Sequence, residues 1–417
     1  MVGGRSNGPH HRDGPAKRPI NVERSLADPV PLGKDPKEET HGLPTAEGAE
    51  RVTTPLSDQF KEAQHNINLN ARRRVAIAAH LEVRAVLLAS SALAAHGVEH
   101  VLIGSYPREV TIWPGKDVDI FAKLTLDSID SISPGDAFDL FLGVLNTAFA
   151  GRITPQHRSI KIDYRGGRLP EKSFIKKAAE LLRESVDTPG QPFDFSVDVV
   201  PAVRWGDVWA IPNSDRQRWQ RTAAAERWVR TNPEELTTLT QKMNDKIAIG
   251  GQGAYVPTVK AVRQIRRAHL GDAKPGGLYF ELLAYDGFHT DSISGESWAE
   301  VTASALASIA ARLNTVVTDP LCEPAMGQPY GPAPDPNDVA RAAATFRSLA
   351  DEAARALQLD PCPAAAIWRA IFGQNSQVNG PVFPLPAGCR EDGTIMPATV
   401  AANPLRGSNE ARGFGSD

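Results

Sequence analysis

Between residues 117 and 120 the chain alternates carboxylates with branched apolar side chains, Asp117-Val118-Asp119-Ile120. A similar frame returns far downstream in Phe195-Ser196-Val197-Asp198-Val199-Val200-Pro201-Ala202. Period-two alternation predicts a strand, with Asp117 and Asp119 pointing one way and Val118 and Ile120 pointing into a core. Read alone, Asp-Val-Asp-Ile is equally a solvated edge strand with two harmless carboxylates. Asp198 argues against that reading, because its apolar neighbours mark a buried position, where an unpaired carboxylate is costly. If Asp198 lies in a neighbouring strand, three carboxylates converge. Two such charges 4 Å apart repel by roughly 4 kcal/mol at an effective dielectric near 20. The ionised cluster then needs cations between its oxygens. Hard oxygen ligands suit magnesium, which keeps waters and takes substrate phosphates as further ligands. The spacing predicts a two-metal site for moving nucleotidyl groups, with Asp117, Asp119 and Asp198 as catalytic and metal-binding residues.

Upstream, a short apolar strand, His100-Val101-Leu102-Ile103, ends on Gly104-Ser105. A strand that ends this way before a helix start leaves free backbone N–H groups and a hydroxyl for an anion, which suits a triphosphate. Gly-Ser is also a common turn, and its coupling to Asp117-Val118-Asp119 is what gives it weight. The segment from Tyr106 to Trp113 is expected to be a short helix, and Pro114-Gly115 to turn the chain into the aspartate strand.

The chain has 417 residues, 41% of them hydrophobic and 23% charged, which is enough for two domains sharing one cleft. A formal net charge of −3 gives no support for a general polyanion-binding surface. No apolar run reaches the roughly 18 residues of a membrane span, and the N-terminus lacks the apolar stretch of a secretion signal. The three cysteines, Cys322, Cys362 and Cys389, are far apart and form no Cys-x-x-Cys pair. Their spacing argues against a zinc knuckle and a disulfide framework, and a soluble, cytoplasmic protein is expected.

Residues 1–55 are rich in Gly, Pro, Arg and acidic groups and read as a flexible extension. A long bracing helix is expected from Ser57 to about Gly97, with Gly97 as its C-cap. Further elements are a helix over 136–149, a strand over 159–164, a helix over about 170–186 and a strand over 193–200. From about Asn232-Pro233 onward the pattern is helical, with helices over 234–250, 257–270, 277–288, 295–315, 335–357 and 364–372. The proline-rich stretch 319–336 reads as a surface loop, Gly250-Gly251-Gln252-Gly253 as a flexible joint, and residues 376–417 as a tail. The expected fold class is α+β, with a mixed-sheet core over 56–232, a helical domain over 233–375 and the active site in the cleft between them.

Several stretches carry a family resemblance. Gly104-Ser105-Tyr106-Pro107-Arg108, Thr111-Ile112, Pro114-Gly115 and Asp117-Val118-Asp119 resemble the opening motif of the nucleotidyltransferase superfamily that includes DNA polymerase beta. Ser159-Ile160-Lys161-Ile162, Phe195 through Ala202, Trp209-Ala210-Ile211-Pro212 and Thr231-Asn232-Pro233 follow in order. In the helical half, Phe280-Glu281-Leu282-Leu283, Val317-Thr318-Asp319-Pro320 and Trp368 through Gly373 match as well. Together they resemble the bacterial cyclic-oligonucleotide synthases (CD-NTases), relatives of cyclic GMP-AMP synthase and the oligoadenylate synthetases, over roughly residues 60–375. The resemblance implies a polymerase beta-like core and two Mg2+ ions (or Mn2+) on Asp117, Asp119 and Asp198. It also implies that Gly104 and Ser105 hold the donor triphosphate. The substrates would be nucleoside triphosphates, ATP and/or GTP, joined into a cyclic di- or trinucleotide for anti-phage signalling with loss of pyrophosphate. A regulatory protein partner is compatible with it; membrane association and activation by nucleic acid are not indicated.

Lys260, Arg263 and Arg267 share a helix face, and the resemblance implies a basic triphosphate contact there, from Lys260 or Arg263. A solvated basic face explains the same pattern. At the position of Arg263 the relatives usually carry lysine, and at Gly277 often a serine that touches phosphate, so the Gly277 contact is in doubt. Arg72-Arg73-Arg74 reads as a solvent-exposed turn in preference to a nucleic-acid contact. Other acceptors, giving a linear oligoadenylate or a modified RNA or small molecule, keep the same site. A silent nucleotide-binding scaffold would dispense with the three aspartates, all of which are present.

Overall fold

The computed structural model describes residues 56–70, 72–126, 128–166, 168–185, 194–318, 320 and 333–396. The expected extension over 1–55, most of the proline-rich loop and residues 397–417 lie outside them.

Seven strands form one mixed sheet: β1 (Val98–Ile103), β2 (Asp117–Leu124), β3 (Ile153–Pro155), β4 (Ile160–Asp163), β5 (Ser196–Trp205), β6 (Val208–Pro212) and β7 (Trp228–Thr231). The order is β1-β2-β5-β4-β3, with β6 pairing β5 and β7 pairing β6. β2 and β5 run parallel, and the other pairs are antiparallel. Strand alternation divides the sheet. Val118, Ile120, Val197 and Val199 are buried in a core that also takes Val75, Ala79 and Val83 of helix α2 (Arg72–Ala89) and Phe138 and Phe141 of α3 (Pro134–Ala148). The opposite face carries only a small apolar patch of Phe121, Val200, Ala202 and Trp209, beside which the carboxylates emerge.

The single long helix expected from Ser57 to Gly97 is three: Ser57–Ile67, Arg72–Ala89 and a single turn, Ser91–Ala94, so Gly97 does not cap the long one. α1 (Ser57–Ile67) stops before Asn68, Leu69 and Asn70, and Asn70 takes a left-handed φ of 47°. Asparagine side chains compete for backbone hydrogen bonds and favour turns over helix interiors. α1 leaves the sheet and joins the helical half, where Phe60 meets Trp368, Phe372 and Phe383 edge-on at 5.0, 5.9 and 5.0 Å between ring centres. Phe60, Ala63 and Ile67 of α1 thus belong to the core of the helical half. α2 is the brace, flanked by α4 (Lys172–Leu182).

The helical half follows: α5 (Pro233–Asn244), α6 (Tyr255–Leu270), α7 (Gly277–His289), α8 (Trp298–Arg312), α9 (Pro336–Ala356) and α10 (Pro361–Phe372). Asn232 caps α5 by accepting from the Glu235 amide with Pro233 at the first position, and Ser297 and Glu300 make a capping box on α8. The expected joint at Gly250-Gly251 is a tight hairpin between Ala248–Ile249 and Gln252–Gly253, with φ of 59° and 80° at the two glycines.

Residues 376–396 are not tail-like. Val382 and Phe383 are fully buried in the helical core, and Cys362 on α10 is disulfide-bonded to Cys389. This corrects the reading of the cysteine spacing: 27 residues of separation fold back into contact. Closing a loop of that length removes about 3 kcal/mol of denatured-state entropy. Cys389→Ser is accordingly expected to lower the unfolding free energy by about 3 kcal/mol. Chemical denaturation with and without a reductant checks this, and the variant should lose the reductant sensitivity of the wild type.

Candidate active site

The register of β2 against β5 sets Asp119 directly opposite Asp198 and Asp117 opposite Ser196, on the face away from α2 and α3. Backbones of neighbouring strands run roughly 4.8 Å apart, so the two carboxylates start from adjacent Cα atoms and share one direction. β4 continues the row, with Lys161 opposite Asp198 and Asp163 opposite Ser196. Arg165 pairs with Asp163 and holds its carboxyl below the usual range. Asp163 still adds its repulsion to Asp198.

Burial, then the repulsion of Asp117 and Asp198, pushes the Asp119 carboxyl up to about 8, partly countered by Arg108. Asp198 is pushed up to about 6 by burial and Asp117, against the pull of Lys161. Asp198 Oδ1 is buried with no hydrogen-bond partner among the described residues. Two raised carboxyls and an orphaned oxygen, all of one sign, fit a cation. Among the described residues no three His, Cys, Asp or Glu side chains are grouped closely enough to make a complete metal cage. Magnesium does not require one, since it is commonly held by one or two carboxylates with phosphate and water as its other ligands.

Gly104 follows β1 with φ of 79°, and a Cβ placed there would come within 2.1 Å of Asp119 Oδ2. Only glycine allows this approach, so the loop and the carboxylate row are in direct contact. From Tyr106 to Trp113 the chain makes successive turns in place of the expected helix, with Glu109 at φ of 60°. Ser105 Oγ and Thr111 Oγ1 are 2.9 Å apart, and the Val110 amide donates to the Ser105 carbonyl at 3.0 Å. Ser105 thus faces the loop's own Thr111.

Arg108 runs from this loop into the helical half. Its Nε and Nη2 donate to the two oxygens of Glu281 on α7 at 2.7 and 3.0 Å, with both residues buried. Arg263 on α6 donates to the same carboxylate at 3.4 Å and feels the charge of Asp117. The expected basic face of α6 divides three ways. Arg263 faces Glu281, and Arg267 donates to the Trp113 carbonyl. Lys260 donates to Asn68 Oδ1 at 2.9 Å and lines a cavity of about 510 Å3 with Arg73, Tyr106 and Glu109. The structure therefore brings Asp117, Asp119, Asp198, Gly104 and Arg263 together and directs Lys260 elsewhere. Arg72-Arg73-Arg74 is not a solvent-exposed turn: Arg72 lies 3.6 Å above the Trp113 ring, and Arg74 is buried against Glu184. Arg108, Glu281 and Lys161 escaped the sequence reading of site residues. A buried arginine and a buried glutamate pair across 173 residues, and no local pattern predicts that meeting.

No protein-family model matches the chain, and no curated protein is similar to it. Solved structures do match. The Bradyrhizobium diazoefficiens CD-NTase CdnG, in complex with GTP, is 14% identical with a TM-score of 0.55, over 77% of this chain and 95% of that one. CdnC of E. coli MS115-1 with ATP is 11% identical with a TM-score of 0.52, over 79% of this chain and 98% of that one. CdnC in its HORMA-deltaN complex gives 11% and 0.52, over 76% and 96%. At these identities the likeness is one of fold: the mixed sheet, the bracing helix and the helical half share the CD-NTase arrangement.

Proposed function

We propose that this chain, built on the fold it shares with CdnG and CdnC, is a cytoplasmic nucleotidyltransferase of the CD-NTase kind. It condenses nucleoside triphosphates, ATP and/or GTP, into a cyclic di- or trinucleotide with release of pyrophosphate, as a signal in anti-phage defence. The observation that carries this reading is the rung Asp119–Asp198 beside Asp117, at the foot of the Gly104-Ser105 turn. Asp117, Asp119 and Asp198 would hold divalent ions, which supply a lowered pKa for the attacking hydroxyl and charge neutralisation at the leaving group. The Gly104-Ser105 turn binds the donor triphosphate through Ser105 Oγ and loop amides. Arg263 offsets its charge. Asp198, in its ionised form and with its Oδ1 free of hydrogen-bond partners among the described residues, would help deprotonate the attacking ribose hydroxyl. The cleft orients donor and acceptor, which supplies much of the remaining acceleration. The complex of CdnC with HORMA-deltaN supports a protein regulator as a further partner.

Two experiments bear on this. Mass spectrometry of products from mixed ATP, GTP, CTP and UTP with magnesium is expected to show a nuclease-resistant cyclic species. Attachment of AMP to RNA, with no cyclic species, would reject the cyclase reading. In the second, magnesium is titrated against the protein and a non-hydrolysable triphosphate. Apparent affinity should rise between pH 6 and pH 8, because protons held at Asp198 (about 6) and Asp119 (about 8) must leave as the ion enters. A flat profile would contradict the assignment of those carboxylates.

A further inference from the structure

Behind the loop over 106–113, on the side of α2 and α4, lies the cavity of about 510 Å3. None of Asp117, Asp119 and Asp198 lines it. Its walls are of two kinds. Ile77 of α2, Leu181 and Leu182 of α4 and the Tyr106 ring supply apolar surface. Arg73 of α2 and Lys260 of α6 supply positive charge, and Arg73 repels the Lys260 ammonium. Lys260 Nζ makes one hydrogen bond, to Asn68 Oδ1 at 2.9 Å, and has no ion pair among the described residues. Of the two carboxylates in the wall, Glu109 and Glu184, the second is paired with Arg74. Two cations thus face one remaining carboxylate, which leaves a surplus of positive charge. A concave site of several hundred Å3, with apolar walls and a few placed polar groups, has the make-up of a small-molecule pocket.

The same wall contains a polar group with nothing to bond. His80 of α2 is 0% exposed, and neither ring nitrogen has a hydrogen-bond partner among the described residues. Burial above all, then the charges of Arg84 and His100, drives its pKa down to about 3. The ring is therefore neutral at physiological pH and offers one N–H donor and one acceptor. An orphaned buried polar group is costly, and it gains from any partner that reaches it. The Tyr106 ring stands edge-on to His80, at 6.0 Å between ring centres, and both line the cavity. A ligand that moves this ring aside meets the imidazole. Tyr106 adjoins Ser105 in sequence, and Thr111, another wall residue, lies 2.9 Å from Ser105 Oγ. Cavity and donor turn share a wall.

We propose that this cavity is an effector site for a small organic monoanion that carries a hydroxyl on an apolar body. Lys260 and Arg73 hold its acid group, His80 pairs with its hydroxyl, and its occupancy is passed to Ser105 through Tyr106 and Thr111. Each part of the ligand answers a feature of the wall. The acid settles between two cations that repel each other, and the ring or chain covers Ile77, Leu181 and Leu182. The hydroxyl both donates and accepts, as a neutral imidazole requires. Pairing His80 is also what makes the bound state differ from the empty one, since a ligand shifts a conformational equilibrium only by its differential affinity for the two states. The link to Ser105 rests on the reading of the Gly104-Ser105 turn as the triphosphate site; the binding itself does not.

The test is calorimetric titration of the full chain, without nucleotide, with three hydroxy acids: 4-hydroxybenzoate, 4-hydroxyphenylacetate and mandelate. Benzoate and phenylacetate serve as controls lacking the hydroxyl, and 4-hydroxybenzyl alcohol as a control lacking the acid. At least one hydroxy acid is expected to bind with Kd on the order of 1 mM or tighter, and loss of either group should weaken it about tenfold. His80→Leu should erase the preference for the hydroxyl, and Lys260→Gln the preference for the acid. Without ligand, His80→Leu should melt at or above the wild-type temperature, because the side chain it removes has no hydrogen bond to lose. A saturating hydroxy acid should change KM for the triphosphate in the wild type and leave it unchanged in His80→Leu. No binding of any of the three at about 10 mM, or a His80→Leu protein that still prefers the hydroxyl, would overturn the site. Binding that leaves the wild-type KM untouched would overturn its link to Ser105. All of these results leave the nucleotidyltransferase reading intact, whereas a wild-type protein that consumes no triphosphate, with or without acid, would overturn that reading and not the binding.

Discussion

Asp119→Asn is expected to abolish pyrophosphate release, by on the order of a thousandfold or more, while making the metal-free protein more stable. The first effect follows from the position of Asp119 in the rung opposite Asp198, where it would touch both ions. The second follows from its environment. A buried carboxyl whose pKa rises to about 8 is penalised when ionised. An acid with a raised pKa contributes its full stability below the unfolded value near 4, and loses it progressively as pH rises through the folded value near 8. Asparagine does not titrate, so the variant should gain on the wild type as pH increases from about 4 to about 8 in the presence of a chelator. Melting curves across that range measure the gain, and added magnesium should shrink it by stabilising only the wild type. Lower stability of the variant at every pH would mean that Asp119 serves packing and not the carboxylate row.

Gly104→Ala carries the second large effect. At φ of 79° an alanine adopts a backbone conformation that costs roughly 1–2 kcal/mol. Its Cβ would also stand 2.1 Å from Asp119 Oδ2, so either the loop or the carboxylate must move. A displacement of about 1 Å in a positioned site costs on the order of a hundredfold in rate. The protein should fold and melt a few degrees lower. Its activity should fall about a hundredfold, with KM for the triphosphate rising as well. Because the damage is routed through Asp119, adding Gly104→Ala to Asp119→Asn should cause no further loss of activity. A Gly104→Ala enzyme with wild-type kinetics would separate the Gly-Ser turn from the catalytic row.

The carboxylate row was legible because strand alternation is a local signal. Val118, Ile120, Val197 and Val199 fill one face, which fixes where Asp117, Asp119 and Asp198 emerge. The helices of the second half were legible because their apolar spacing is likewise local, and in the structure Asn232, Ser297 and Asp335 cap three of them. What escaped was set by distant contacts. Apolar spacing ran unbroken through Ile67 and Ala71, yet the asparagines between them divide one expected helix into two that belong to different halves. Cys362 and Cys389 meet only because residues 380–396 fold back on the helical core. Lysine and arginine on α6 share a face in projection, but each long side chain follows the nearest acceptor: Asn68 for Lys260, Glu281 for Arg263 and the Trp113 carbonyl for Arg267.

The most direct measurement is a crystal structure grown with manganese and a non-hydrolysable triphosphate, in which anomalous scattering locates the ions. The account predicts peaks within ligating distance of the Asp119 and Asp198 carboxylates, with the triphosphate on the Gly104-Ser105 turn. Ions bound elsewhere, or an Asp198 side chain turned away from Asp117 and Asp119 with nucleotide present, would contradict it.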